Sequence, residues 1–331
     1  MNILFRVDAG GKVGLGHYYR SITLAKRLKS KGCSLTILHR PSLFWSKISL
    51  PFPSIVLEEE ENEHVLRLIK ENEYSVFYVD GILDFEESLM NEIGKRKTSV
   101  VFYQNLSSTK HLCDVFILPS LNYDERFFDS FSIHTRIFKG LDYVIFNEMV
   151  YNLPKLGKIR EKVKSIGLIS GGSDPKNVLL HLYSLINHQA FEDVQFTYFY
   201  GEDFMHIDKV PASPEMNASF VSYDLEQICK MDVVIGTFGV STYELMYLGM
   251  PIISVGHQTS NAEASYRTAK HTKAVIDLGL VDALSSVELN KAIQELISNF
   301  QKRESLKQNS TRAIDALGVE RVADIIISLN E

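Results

Sequence analysis

A histidine follows a short glycine-containing loop near the start of the chain, in the segment Val-Gly-Leu-Gly-His at 13–17. The loop comes after an apolar run over 1–7 that predicts a buried strand, and a helical pattern follows it. Glycines at 14 and 16 allow a tight turn and a close approach of backbone to a phosphate or sugar. An imidazole accepts a proton near neutral pH, so His17 is a candidate general base. An ordinary strand-to-helix turn capped by a histidine explains the same residues.

A second glycine-containing loop, Ser-Gly-Gly-Ser-Asp-Pro at 170–175, also stands between a predicted strand and a predicted helix. Gly171, Gly172 and Ser173 would present backbone N–H groups to a pyrophosphate. Ser173 or Asp174 can cap the helix that follows, and proline suits its first turn. An ordinary capped turn remains the alternative.

A third loop opens a helix in the segment 237–245. Gly239, Ser241 and Thr242 lie where hydroxyls and N–H groups suit a phosphate. Glu244, one turn into the helix, can accept hydrogen bonds from both hydroxyls of a ribose. The spacing of Ser241 and Glu244 also fits a capping box, and both interpretations can hold together.

A fourth polar loop, at 257–262, follows a strand and precedes a helix. His257, Gln258 and Asn261 are candidate substrate contacts, with a solvated loop as the alternative. Together the four loops fall at strand-to-helix junctions in two α/β halves. That arrangement predicts a nucleotide-sugar enzyme of the GT-B type, with two doubly wound Rossmann-like domains facing a central cleft.

The elements that must position these loops are short apolar runs alternating with amphipathic stretches, which predicts parallel sheets covered by helices. The predicted strands span 1–7, 34–38, 54–57, 75–80, 99–103, 114–118, 164–170, 195–200, 220–223, 233–235, 252–255 and 274–278. The predicted helices span 18–31, 60–70, 85–95, 177–186, 241–248 and 261–268, with a mostly helical tail from 287. The pattern weakens over 122–160. A proline- and glycine-containing linker near 152–157 divides the chain into domains 1–155 and 156–331.

Composition excludes several classes of protein. The 331 residues are 45% hydrophobic and 23% charged, as in an average globular protein, and the net charge of −6 argues against a nucleic-acid binder. Three separated cysteines without a CxxC pair favour a reducing compartment over a disulfide framework or a zinc site. We find no signal-peptide pattern and no apolar run of about 18 residues, so we expect a cytoplasmic protein without a membrane span. Tyr19 occupies the place of the third glycine of a GxGxxG fingerprint, which argues against a nicotinamide dinucleotide.

The pattern Arg6-x-Asp8 … Gly14-x-Gly16-His17-x-x-Arg20 resembles the PseG family. Its named member releases UDP from UDP-2,4-diacetamido-2,4,6-trideoxy-β-L-altropyranose in pseudaminic acid biosynthesis. The spore-coat polysaccharide protein SpsG is similar, and MurG-type glycosyltransferases are more distant. The segments at 171–174 and 241–251, and the Cys-Asp pair at 113–114, also match the family pattern.

The resemblance implies that UDP binds mainly to the second domain, that His17 activates water and that Glu244 binds the ribose. It further points to Arg6, Arg20 and the glycines of the first loop as substrate contacts. Asp80 is a further candidate substrate contact; it stands where many members have Asp-His-Tyr, but here Gly81 and Ile82 follow it. Gln-Asn at 104–105 replaces an Asp-Asp pair, residues 237–241 differ from the family's Ser-Gly-Gly-Ser-Thr, and His257 replaces an asparagine beside Gln258. These departures leave the sugar open.

We therefore expect hydrolysis of a UDP-linked amino or deoxy sugar, with His17 as base and Asp8 orienting His17 or the sugar. No Asp-x-Asp pair stands at a strand end, so we expect no essential metal, and we expect no separate cofactor. A glycosyltransferase with a UDP-sugar donor is the first alternative. A non-catalytic sugar-nucleotide-binding subunit is the second. The sequence does not determine the oligomeric state, and we expect a monomer.

Overall fold

The computed structural model describes residues 1–10, 15–58 and 60–330. In these ranges the strands are β1 (Asn2–Val7), β2 (Ser34–His39), β3 (Ser54–Val56), β4 (Val76–Asp80), β5 (Ser99–Tyr103), β6 (Val115–Leu118), β7 (Arg136–Lys139), β8 (Ser165–Ile169), β9 (Gln195–Tyr200), β10 (Ala218–Ser222), β11 (Val233–Thr237), β12 (Ile252–Gly256) and β13 (Val275–Leu280). The α-helices are α1 (Gly16–Ser30), α2 (Leu43–Lys47), α3 (Glu61–Asn72), α4 (Glu87–Gly94), α5 (Glu148–Asn152), α6 (Val178–Leu185), α7 (Leu225–Ile228), α8 (Val240–Leu248), α9 (Thr259–Thr272), α10 (Ser286–Ser298), α11 (Phe300–Ala313) and α12 (Gly318–Ile327). Short 3₁₀ helices span Lys110–Leu112, Glu125–Phe128, Leu141–Tyr143, His188–Phe191, Ile207–Lys209, Val281–Ala283 and Ser328–Asn330.

The chain forms two compact units, each built on one parallel sheet. Unit 1 comprises Met1–Tyr151 and Ala316–Glu331, and unit 2 comprises Asn152–Asp315. The sheet of unit 1 has the order β3-β2-β1-β4-β5-β6-β7, and that of unit 2 has the order β10-β9-β8-β11-β12-β13. Each sheet therefore has a doubly wound order, which confirms the predicted α/β architecture.

In each sheet the strand order reverses at one place, and loops leave from there in opposite directions. The reversal lies between β1 and β4 in unit 1 and between β8 and β11 in unit 2. Ligands of open α/β sheets bind beyond the carboxyl ends of the strands at such a switch point. Three of the four predicted loops directly follow a strand beside a switch point, namely β1, β8 and β11, whereas the fourth follows β12.

Alternation along the central strands of unit 1 directs side chains to two apolar layers, one on each face of the sheet. Ile3 and Phe5 face α1 and α12, whereas Leu4 faces α3 and α4. A strand buried on both faces is apolar along its whole length, which explains why the run at the start of the chain is so uniform. In unit 2 an apolar layer joins strands to residues of α6 and α10.

The last helix belongs to unit 1, whereas the sequence predicted a second domain that ran from 156 to 331. Val322, Ala323 and Ile326 of α12 are buried in the same apolar layer as Leu24 and Leu28 of α1. An amphipathic helix shows which of its faces needs covering but does not show which sheet covers it. The observed boundary, between 151 and 152, lies four residues before the predicted one.

Strand β7 was not predicted. It pairs with β6 at the edge of the sheet, and its residues are exposed or only half-buried. An edge strand has one neighbour and needs no uniformly apolar run, so its pattern is weak. Among the helices that the structure describes, none has both the length and the apolar character needed to cross a membrane.

Candidate active site

The carboxyl ends of β1 and β4 bring the predicted base of unit 1 to a buried carboxylate. Helix α1 begins at Gly16, so His17 lies in its first turn. Val7 and Asp80 are register partners where β1 and β4 end. The Nδ1 atom of His17 lies 2.9 Å from Oδ1 of Asp80, although 63 residues separate them along the chain. Gly14, a predicted substrate contact, is outside the described residues.

Asp80 is 1% exposed and is held by several donors. Arg20 donates through Nε to Oδ2 at 2.8 Å and through Nη2 to Oδ1. The hydroxyl of Ser21 donates to Oδ2 at 2.9 Å. Burial raises the pKa of Asp80, but the charge and hydrogen bonds of Arg20 outweigh it and lower the pKa to about 2. Asp80 is therefore ionised throughout the physiological range.

Arg20, predicted to contact substrate, is instead enclosed by protein groups. Its side chain is 5% exposed, and its Nη1 donates to Oε1 of Gln104 at 2.7 Å. Its guanidinium carbon lies 5.0 Å from the centre of the Tyr103 ring. Although burial lowers it, the charge of Asp80 raises the pKa of Arg20 above its ordinary value. Both members of the pair also contact His17.

The two neighbours of His17 determine its tautomer. Nη2 of Arg20 lies 2.8 Å from the same Nδ1 atom that faces Asp80. A guanidinium only donates and an ionised carboxylate only accepts, so a neutral imidazole satisfies one of them through Nδ1. We assign the Nδ1 proton to the bond with Asp80, since an ionised carboxylate can only accept. The lone pair then lies on Nε2, and the His17 side chain is 26% exposed.

The structure corrects the expectation that Asp8 orients His17. Asp8 forms a two-pronged ion pair with Arg6, at 2.6 and 2.9 Å, and accepts a hydrogen bond from the backbone of Arg40. Arg6 is 0% exposed and also donates to Glu61 at 2.6 Å, so its guanidinium is not available to a substrate. Burial raises the pKa of Asp8, but its bonds with Arg6 lower the pKa below the ordinary value. Asp80, and not Asp8, is the carboxylate hydrogen-bonded to His17.

Gly81 directly follows Asp80. Its φ of +109° is strained for other residues, and a Cβ built there would lie 3.3 Å from both Cε1 and Nδ1 of His17. A side chain at position 81 would therefore crowd the imidazole.

In unit 2 the loop after β8 presents glycine backbone rather than large side chains. Gly171 has a φ of +90°, and both Gly171 and Gly172 are exposed. The N-cap of α6 is Asn177, and its own side chain makes no cap bond. Asp174, three residues earlier, accepts hydrogen bonds from the first backbone N–H groups of α6, those of Val178 and Leu179, at 2.8 and 2.9 Å. A Cβ at Gly201 would lie 2.1 Å from the carbonyl oxygen of Gly172, so the loop after β9 supports this one.

Helix α8 begins at Val240, with Gly239 as its N-cap. The cap differs from the Ser241–Glu244 capping box considered above: the N–H of Gly239 donates to Oγ1 of Thr242 at 3.2 Å. Thr242 is 3% exposed, so its hydroxyl serves the helix end rather than a ligand. Glu244 is 8% exposed on the same helix.

Tyr223, which follows β10, was not predicted as a site residue. It is 40% exposed, and its hydroxyl is hydrogen-bonded with Ser241. Burial, and after it the charge of Glu244, raises the pKa of the Tyr223 hydroxyl. Tyr223, Ser241 and Glu244 therefore form one cluster beside the start of α8.

The loop after β12 contributes less to the candidate group of unit 2 than the loops after β8 and β11 do. Asn261 donates from Nδ2 to the carbonyl of Phe238 at 3.1 Å, which ties this loop to the start of α8. Burial, and after it the positive charge of Lys176, lowers the pKa of His257. Gln258 is the exposed N-cap of α9.

The structure thus forms one group around His17 in unit 1 and a second around the starts of α6 and α8 in unit 2. Ser21 and Gln104 are further members of the first group that sequence reasoning missed. Ser21 is one residue after Arg20 in a helical pattern, and Gln104 has a φ of +53°, which no sequence pattern shows.

No protein-family model matches the chain. The chain is 25% identical to the spore coat polysaccharide biosynthesis protein SpsG of Bacillus subtilis, over 100% of this chain and 99% of that protein. It is 28% identical to the UDP-2,4-diacetamido-2,4,6-trideoxy-beta-L-altropyranose hydrolase of Campylobacter jejuni, over 56% of this chain and 65% of that protein. The predicted resemblance to PseG- and SpsG-like proteins is confirmed.

Solved structures share the fold at low sequence identity. MurG of Acinetobacter baumannii superposes with a TM-score of 0.70 at 14% identity, covering 99% of this chain and 100% of that one. The UDP-GlcNAc 2-epimerase of Neisseria meningitidis, solved with bound UDP-GlcNAc, has a TM-score of 0.68 at 9% identity, covering 99% and 100%. The chain therefore has the two-domain α/β fold of GT-B glycosyltransferases and similar enzymes.

Proposed function

We propose that this chain is an enzyme of polysaccharide or nonulosonic acid biosynthesis that hydrolyses a UDP-linked amino or deoxy sugar. The observation that carries the proposal is the His17–Asp80 pair at the switch point of unit 1. A base whose second nitrogen is held by an ionised carboxylate has the arrangement of a general base. The similarity to the Campylobacter jejuni hydrolase favours a UDP-sugar and water as the reactants.

Unit 2 supplies the groups suited to UDP. The exposed glycines after β8 and the first turn of α8 offer backbone N–H groups to a diphosphate. Within the described residues, the buried Oγ of Ser170 and Oδ1 of Asn261 have no protein hydrogen-bond partner. Native proteins rarely leave such atoms unpaired. They follow β8 and β12, on either side of β11, where the proposed phosphate contacts lie.

In the proposed reaction, water attacks the anomeric carbon and Nε2 of His17 takes a water proton. The bond from the anomeric carbon to the diphosphate oxygen breaks, and UDP leaves with that oxygen and its electron pair. Asp80 keeps the imidazole in the tautomer that can accept the proton and stabilises the imidazolium. Backbone donors of unit 2 stabilise the charge on departing UDP.

The test is a panel of UDP-sugars, with CMP- and GDP-sugars as controls, in which free nucleotide is measured with and without added sugar or lipid acceptors. The active substrate is then hydrolysed in ¹⁸O-labelled water with an early quench, because ring opening exchanges the anomeric oxygen. We expect the label in the sugar and none in UDP. An exposed histidine of unit 1 provides the matched control variant, His134→Asn.

Each alternative has its own signature in that assay. UDP release that depends on an acceptor would replace hydrolysis by glycosyl transfer; glycosyltransferases are among the solved proteins that share this fold. UDP binding without release from any sugar would indicate a binding subunit. Label in UDP would mean attack at phosphorus.

A further inference from the structure

A neutral side chain, that of Gln104, completes the hydrogen bonds of Arg20 in the group around His17. Gln104 directly follows β5, and its Oε1 accepts a hydrogen bond from Nη1 of Arg20 at 2.7 Å. The other two nitrogens of the guanidinium donate to Asp80. The three nitrogens of Arg20 therefore meet one carboxylate and one amide.

The backbone on both sides of this amide is anchored. Gln104 has a φ of +53°, in the left-handed region that residues other than glycine seldom adopt, and its N–H donates to the carbonyl oxygen of Ile117 in β6 at 2.8 Å. The next residue, Asn105, is 0% exposed and donates from Nδ2 to the carbonyl oxygen of Leu83 at 2.9 Å. These bonds fix the point from which the Gln104 side chain reaches Arg20.

The charged groups bonded to His17 balance each other. Nδ1 of His17 lies 2.9 Å from an oxygen of Asp80 in β4 and 2.8 Å from Nη2 of Arg20 in α1. The phenols of Tyr78 in β4 and Tyr103 in β5 are buried, which raises the pKa of both and keeps them uncharged. Over the part of the chain that the structure describes, the charges that contact His17 therefore sum to zero.

A carboxylate in place of the Gln104 amide would change this balance. It could accept the same hydrogen bond from Arg20, since both groups present an oxygen to the guanidinium. It would also add one negative charge, separated from His17 by a single guanidinium group. A nearby negative charge favours the protonated form of an imidazole, and a protonated imidazole cannot serve as a base.

We propose that Gln104 is a positioning residue, which holds Arg20 against Asp80 and His17 and, because it is uncharged, leaves His17 free to take up the water proton. Gln104 acts through Arg20 and needs no contact with the sugar. Its effect on His17 is independent of the substrate, whereas the catalytic consequence rests on the proposed function.

The test compares Gln104→Glu, which adds a charge and keeps the accepting oxygen, with Gln104→Met, which removes that oxygen and adds no charge. Protonation of His17 is followed without substrate, by NMR of the protein labelled with ¹³C at Cε1 of histidine. The signal of His17 is the one missing from His17→Asn. A charge within a few ångströms shifts a titration by about 1–3 pH units. We therefore expect the midpoint to lie about one unit higher in Gln104→Glu and not to rise in Gln104→Met.

The same shift should appear in the pH dependence of turnover, because kcat/KM reports the protonation of the free enzyme. For an active UDP-sugar, the acid limb of kcat/KM should move up by about one pH unit in Gln104→Glu, which is roughly a tenfold loss well below the midpoint. A residue that only supported the fold would lower turnover at every pH and leave the midpoint unchanged.

Two further variants make the result specific. Asn91→Asp adds the same charge at an exposed position of α4 and should leave the titration of His17 unaltered. Gln104→Asp carries the charge on a shorter side chain and takes the place of the glutamate variant should that variant not fold.

The outcomes separate this inference from the proposed function. Equal midpoints in Gln104→Glu and the parent, or an equal rise in Gln104→Glu and Gln104→Met, would overturn the role of Gln104. A shifted titration in a protein that hydrolyses no UDP-sugar would support that role and overturn the proposed function alone.

Discussion

The candidate groups of the two units are built by different means at equivalent places of similar sheets. In unit 1 the switch point is occupied by charged side chains: Asp80 and Arg20 are buried and hydrogen-bonded to each other and to His17. In unit 2 the equivalent edge consists largely of glycine backbone and helix N-termini, as at Gly171 and Gly239. A proton-transfer site needs a titratable group held at one angle, whereas a phosphate site needs several N–H groups and little side-chain bulk.

The largest expected effect concerns catalysis in unit 1. His17→Asn should lower turnover of the UDP-sugar by about 10²–10⁴-fold, because a general base contributes that much. UDP affinity should stay within a few-fold, because the proposed UDP contacts lie in unit 2. Steady-state kinetics on this variant measures turnover, and calorimetry on the same variant measures UDP affinity. Turnover within a factor of ten of the parent would remove His17 as the base.

Next in size is the cost of breaking the buried ion pair. Asp80→Asn leaves the charge of Arg20 buried without its partner, which typically costs about 3–5 kcal/mol. Urea unfolding should show this loss in the transition of unit 1. Glu71→Gln, a change at an exposed position of α3, should leave it unaltered. A loss below about 1 kcal/mol would mean that Asp80 and Arg20 form no strong pair.

The Asp80–Arg20 pair also predicts how stability depends on pH. The pKa of Asp80 is about 2 in the folded chain, which is below its unfolded value of about 3.9. The stabilisation is therefore complete above about pH 5 and is lost progressively as the pH falls from about 5 to 1. The wild type should lose about 2–3 kcal/mol more than Asp80→Asn over that interval. Parallel pH profiles for the two proteins would contradict the assignment.

In unit 2, Glu244→Ala should weaken UDP binding by about 1.5–3 kcal/mol if its carboxylate accepts from both ribose hydroxyls. Calorimetry with UDP measures the change. Glu226→Ala, an exposed carboxylate of α7, serves as the control. Unchanged affinity would leave Glu244 with a role in the helix alone.

The smallest expected effect tests the backbone character of unit 2. Gly201→Ala places a methyl group against the carbonyl oxygen of Gly172 and must displace that loop. We expect UDP affinity to fall about tenfold, which corresponds to about 1.4 kcal/mol. Gly157→Ala, where a Cβ meets no atom within 4 Å, should bind UDP normally. Equal affinities would show that the position of the Gly172 loop does not matter.

Much of the fold and part of the site could be predicted from the chain alone. Uniform apolar runs marked the central strands, since a strand covered on both faces must be apolar throughout. Edge strand β7 was not predicted, because it is less buried and so has no uniform apolar run. The glycines and polar residues predicted loops between strands and helices, and the structure places those loops after β1, β8, β11 and β12. Glycine is common there because it allows tight turns.

The hydrogen-bonding partners of individual side chains could not be predicted from the sequence. Asp8 is nearer to His17 in sequence than Asp80 is, yet Asp80 forms the hydrogen bond because β4 lies beside β1 and ends at the same edge. Arg6 and Arg20 are residue types that commonly bind anionic substrates, but Arg6 is paired with Asp8 and Glu61, and Arg20 is paired with Asp80 and hydrogen-bonded to Gln104. Burial and pairing depend on residues far away in the chain.

By itself, therefore, the sequence determined the class of fold, the loops at the strand ends and the identity of the candidate base. These follow from local rules of periodicity, turn formation and residue chemistry. Only the tertiary structure decided that Asp80 orients His17, that α12 covers the sheet of unit 1 and that Thr242 is used by a helix cap. The physical reason is that strand order and helix packing bring together groups whose spacing along the chain carries no information about their distance.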